Sequence, residues 1–96
     1  MKIRNIEKRI FEIEGFEVKF YQNGKDVRSD LDINAKQYEG TRMAKNSFSV
    51  NDWIEKRFKP QYAGYDVVVL NGDGSKARGQ TKLSTVRDTY IDEEGA

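Results

Sequence analysis

The chain contains no cysteine and no histidine, and a single proline among its 96 residues. Without cysteine there are no disulfides, thiolate metal sites, iron–sulfur clusters or cysteine nucleophiles. Without histidine there is no Ser-His-Asp relay, no imidazole general base and no imidazole metal ligand. Carboxylate and lysine chemistry survive these exclusions, but no motif marks either one. The expectation is a non-enzymatic protein with no catalytic residues, no cofactor and no metal. An excess of charge is also missing: 17 basic and 16 acidic residues leave a formal net charge of +1. That balance supplies neither a broad field for nucleic acid nor a strongly acidic surface. The longest run of Val, Ile and Leu is Val67 to Leu70, too short for a membrane span or a secretory signal core. The expected location is the cytoplasm of the cell that makes the chain, with no membrane partner.

What is present suffices for one small domain over residues 1–96. Leu, Ile, Val and Phe supply 22 of the 96 residues, slightly above the level of about 20% below which disorder becomes the default. The core is therefore thin. Residues 92–96 read as a frayed acidic tail.

Ile3, Ile6, Ile10 and Ile13 recur at helical spacing. Phe11 and Ile13 also suit the start of a strand, and the reading leans to strand over 9–14. The next segment is better defined. Phe16, Val18 and Phe20 alternate with polar residues, then Asn23-Gly24 offers the positive φ of a type I′ turn. Val27, Leu31 and Ile33 follow with period two. A two-residue loop pairs Gln22 with Lys25, Phe20 with Val27, Val18 with Ser29 and Phe16 with Leu31. That register gathers the apolar side chains on one face. The opposite face then carries Glu17, Lys19, Tyr21, Asp26, Arg28, Asp30 and Asp32. It reads either as a solvated sheet face or as a partner surface anchored by Tyr21.

Tyr38 to Lys45 suits a third strand bent at Gly40. Ser49 and Asp52 make a capping box ahead of an apolar stripe of Val50, Trp53, Ile54 and Phe58, which predicts a helix over about 50–58 ending before Pro60. Trp53 falls on that stripe and reads as core. Four consecutive apolar residues at 67–70 predict a strand covered on both faces, hence central. Asn71-Gly-Asp-Gly74 reads as a turn. Its alternating oxygens mimic a calcium loop, but Lys76 and Lys82 stand where such a loop needs Gly and Glu. Residues 75–90 lean to a return strand broken near Gly79, with a helix through Leu83, Val86 and Tyr90 as the rival. Basic residues cluster at Lys2, Arg4, Lys8 and Arg9 and again at Lys76, Arg78, Lys82 and Arg87. With nearby aromatics they suit single-stranded nucleic acid, but the RNP-type aromatic motif is absent and Glu7 interrupts the first cluster, so this reading is not favoured. The expected fold is α+β: an antiparallel sheet of about four or five strands in two hairpins, with one short helix packed on one face.

Residues 16–58 resemble the small phage anti-CRISPR proteins of the type I-F inhibitor group. The matching text is Phe20-Tyr21-Gln22-Asn23-Gly24, the outgoing strand to Asp32, then Ser47-Phe48-Ser49-Val50 and Trp53. The resemblance implies a phage or prophage inhibitor that binds a crRNA-guided CRISPR surveillance complex through surface complementarity and blocks target DNA engagement. It implies contact roles for Tyr21 and Asp32. A tyrosine contact near the N-terminus of the family has Glu7 in its place here. The alternatives are a small nucleic-acid-binding regulator and a protein-interaction module of a mobile element, monomeric or dimeric.

Overall fold

The computed structural model describes residues 1–40 and 42–90; the predicted acidic tail at 92–96 lies outside the described residues. Among the described residues, three helices and a three-stranded antiparallel sheet make an α+β fold. Helix α1 spans Ile3–Glu14, strand β1 Glu17–Gln22 and strand β2 Lys25–Asp26. Helix α2, Val50–Trp53, runs on into a π-helical segment, Ile54–Phe58. Strand β3 is Asp66–Leu70 and helix α3 is Leu83–Asp88. The sheet order is β2-β1-β3.

The helical reading of the N-terminus prevails over the strand expected at 9–14. Ile3, Ile6, Ile10 and Glu14 fall on one buried stripe, which only a helix can make from that spacing. Phe11, which had suggested a strand, lies off the stripe and is 43% exposed. Gly15 ends α1 in the left-handed region at φ 83°, with its N–H donating to the Phe11 carbonyl.

The hairpin forms with the expected register at its turn. Gln22 pairs with Lys25 and Tyr21 with Asp26, and Val27 N–H donates to the Phe20 carbonyl at 3.0 Å. Asn23 and Gly24 both take positive φ, 53° and 76°, as a type I′ turn requires. Beyond Val27 the return strand peels away, so Val18–Ser29 and Phe16–Leu31 do not pair, and Leu31 is exposed rather than core. The cause is a competing set of donors. Helix α1 has no side-chain cap, and its first-turn amides need acceptors. Ile3 N–H donates to the Leu31 carbonyl at 3.0 Å and Arg4 N–H to the Ser29 carbonyl at 2.7 Å. The Glu7 carboxylate then takes the Phe20 N–H and the Ser29 hydroxyl, closing the edge of β1 where β2 has left it.

The third strand expected at 38–45 is absent among the described residues. Its backbone finds side chains instead of a neighbouring strand. Glu39 N–H donates to Gln61 Oε1, the Glu39 carbonyl accepts from Gln61 Nε2, and Ala44 N–H donates to Glu14. Strand β3 lies at the sheet edge and not at its centre, paired with β1 from Glu17–Leu70 to Tyr21–Asp66. The second hairpin shrinks to a single bridge, Leu70–Lys76, after the expected turn at 71–74. The return strand expected at 75–90 gives way over 83–88 to α3, because Leu83 and Val86 bury at helical spacing. The sheet therefore has three strands among the described residues, fewer than expected.

The capping box forms as expected: Ser49 Oγ accepts from Asp52 N–H and the Asp52 carboxylate accepts from Ser49 N–H. It aims α2 so that Trp53 and Phe58 enter the core. Phe16 meets Trp53 edge-on at 5.1 Å, and Phe20 meets Phe58 at 5.1 Å and Tyr62 at 5.5 Å. Such edge contacts add about 0.5–1.5 kcal/mol each beyond area burial. No helix among the described residues is long and apolar enough to cross a membrane.

Candidate interaction surface

Alternation along β1 and β3 decides what the sheet presents outward. Val18, Phe20, Val67 and Val69 are buried on the core side. Glu17, Lys19, Tyr21, Asp66, Val68 and Leu70 therefore point to the opposite face. Lys19 stands across from Val68, Glu17 across from Leu70, and Tyr21 across from Asp66 on one side and Asp26 on the other. Tyr21, Val68 and Leu70 are half-buried, and the Lys76 ammonium lies 5.2 Å from the Tyr21 ring centroid. The face is thus an aromatic and aliphatic strip with charged ends. Asp66 is already paired with Lys59 at 2.6 Å.

Of the residues expected on this face, the structure brings together Glu17, Lys19, Tyr21 and Asp26. It sets Arg28, Asp30 and Asp32 apart, on the segment that leaves the sheet to cap α1. Arg28 and Asp30 pair with each other through two hydrogen bonds, at 3.1 and 2.8 Å. Asp32 accepts from the N-terminal ammonium at 2.7 Å, and that hydrogen bond holds its carboxyl below the usual carboxylate range. Sequence reading missed Val68, Leu70 and Lys76. The signal was the unbroken run 67–70, which fits a strand covered on both faces as well as one with an apolar outer row.

A second constellation lies inside. Glu14 is fully buried, yet four donors surround its carboxylate. The Tyr38 hydroxyl lies at 2.5 Å and Ala44 N–H at 2.8 Å; Arg57 Nη1 lies at 2.8 Å and Arg87 Nη2 at 3.2 Å. Trp53 Nε1 donates to the Tyr38 hydroxyl at 3.1 Å, and Arg87 also reaches the carbonyls of Glu14 and Ala44. Burial lowers the Arg87 guanidinium from its ordinary value. For Arg57 burial acts the same way, but Glu14 and Tyr38 outweigh it and the net direction is upward. Both remain cations at neutral pH. No buried side-chain polar atom among the described residues lacks a partner. A carboxylate so enclosed ties α1, the π-helical turn after α2, α3 and the 38–44 segment together. Its sequence signal was its place four residues after Ile10, on the buried stripe of α1.

The oxygens of the 71–75 turn are satisfied internally: Asp73 accepts from the Ser75 N–H and hydroxyl at 2.9 and 2.6 Å. Comparison with family models, with curated proteins and with solved structures gives no match.

Proposed function

We propose that the chain is a non-enzymatic phage or prophage protein that acts by docking the outer face of its sheet on a protein partner. The carrying observation is the half-buried strip of Tyr21, Val68 and Leu70, bordered by Lys19 and Lys76. Aromatic anchors with adjacent aliphatic surface concentrate binding energy at protein interfaces. The resemblance of residues 16–58 to the anti-CRISPR group makes a crRNA-guided surveillance complex the partner to test, with inhibition of target DNA engagement as the consequence. In this docking mode Tyr21 is the contact that matters most, and Asp32, engaged with the N-terminus, contributes little.

The test is a binding titration of the purified chain against a purified surveillance complex, alongside a target-DNA binding assay. Tyr21→Ala on a chain that folds normally should weaken binding by about 30-fold, as loss of a hot-spot aromatic does. Failure of the wild-type chain to bind overturns the partner. Unchanged binding by Tyr21→Ala overturns the face.

A further inference from the structure

On the far side of the buried Glu14 cluster, a cleft of about 450 Å³ opens between the 42–48 segment and the helical turn after α2. Its lining is Arg42, Met43, Lys45, Phe48, Lys56 and Arg57, together with Ala44. No carboxylate among the described residues lines it. The chain as a whole is nearly neutral, so a cleft bordered by four cations is a local concentration of charge. Arg42, Lys45 and Lys56 form no ion pair with any described residue. Arg57 shares Glu14 with Arg87, two guanidinium groups against one carboxylate, so the cluster behind the cleft keeps a surplus positive charge. The Asp52 carboxylate near Lys56 is held at the start of α2 by its hydrogen bonds with Ser49.

The floor of the cleft is apolar. Met43 is 53% exposed, and the Phe48 ring is half-buried with the Lys56 ammonium 4.9 Å from its centroid. A half-buried aromatic ring with one cation over its face and others beside it suits a ligand that carries both a flat ring and negative charge. An acidic peptide would use the cations and leave the floor unused. A nucleotide strand uses both, stacking a base on Phe48 and Met43 and placing phosphates by Arg42, Lys45 and Lys56. We infer that this cleft binds single-stranded nucleic acid, at a site separate from the sheet face and from the basic clusters at either end of the sequence. The inference does not depend on the protein-docking proposal.

The experiment is fluorescence anisotropy of a labelled oligo(dT) 12-mer with the full chain across a salt series. Binding should weaken with salt at a log–log slope of about −2, given roughly 0.7 per neutralised phosphate and the three cations Arg42, Lys45 and Lys56. Arg42→Glu with Lys56→Glu, shown folded by circular dichroism, should weaken binding at least about tenfold, and Lys45→Glu with Lys56→Glu should repeat the loss if the first pair does not fold. Tyr21→Ala should leave it unchanged, which separates this site from the sheet face. Absence of binding, binding indifferent to salt, or full binding by the folded cleft variants overturns the inference. So does displacement of the oligonucleotide by poly-glutamate at a lower concentration than by unlabelled oligo(dT).

Discussion

Replacing Glu14 with Gln changes one atom and should remove much of the stability of the domain. The carboxylate accepts from four donors on three different segments. An amide offers one acceptor oxygen, and its NH2 must face either Arg57 and Tyr38 or Arg87 and Ala44, donor against donor. Two guanidinium groups, 30% and 12% exposed, then lose their counter-charge. Breaking a buried pair in this way costs about 3–5 kcal/mol, and the partial exposure of Arg57 moves the expectation toward the lower end. A chain of this size has about 5–14 kcal/mol in all. Urea unfolding followed by Trp53 is a direct assay, because this single tryptophan is buried and its Nε1 donates into the same network. In a thermal melt the midpoint should fall by about 15 °C or more. A loss below about 1 kcal/mol would refute the view that the network holds the helices together.

Arg87→Met should cost more than Arg57→Met in the same assay, about 3 against about 1–2 kcal/mol, because Arg87 is the less exposed and satisfies the Glu14 and Ala44 carbonyls as well. Ser49→Ala removes one half of the capping box and should cost about 1 kcal/mol by chemical denaturation, with no change in the sheet's circular dichroism. Stability should drain at high pH. Burial raises the phenols of Tyr38, Tyr62 and Tyr90, so the unfolded chain loses these protons first. Their contribution is whole below the ordinary tyrosine value of about 10 and is lost as pH rises through the folded values. Thermal melts through this range check it, and a flat profile there would count against the burial of the three rings. Gly72→Ala should cost about 2 kcal/mol, as overpacking typically does. A Cβ there would stand 2.0 Å from the Thr89 carbonyl oxygen, so the end of α3 must shift, and urea titration reads the loss.

Local chemistry was legible wherever the interacting groups are close in sequence. The Asn23-Gly24 turn, the Ser49–Asp52 box, the burial of Trp53 and the turn at 71–74 each follow from residues within a few positions of one another, and each forms as expected. Alternation likewise placed Lys19, Tyr21 and Asp26 on one face, because β1 and the first residues of β2 are paired through a two-residue turn. What failed depended on distant partners. The segment past Val27 carries a period-two pattern, yet its carbonyls serve the amides of α1 near the start of the chain, as in the Ile3–Leu31 hydrogen bond. The 38–45 segment has strand-like composition, but Glu14 and Gln61 supply the partners that a neighbouring strand would have supplied.

The same division runs through the two candidate surfaces. Periodicity and contacts a few residues long were enough to specify the α+β class, the hairpin turn, the capped helix and the outward position of Tyr21. Long-range packing was needed to make β3 an edge strand with Val68 and Leu70 turned outward. It also draws Arg28, Asp30 and Asp32 off the sheet, and it gathers Arg42, Lys45, Lys56 and Arg57 around Phe48. The cause is competition for hydrogen bonds and counter-charges. Local patterns state what each segment can do, whereas the buried carboxylate and the uncapped helix settle which of those options is used, through partners far apart in the chain.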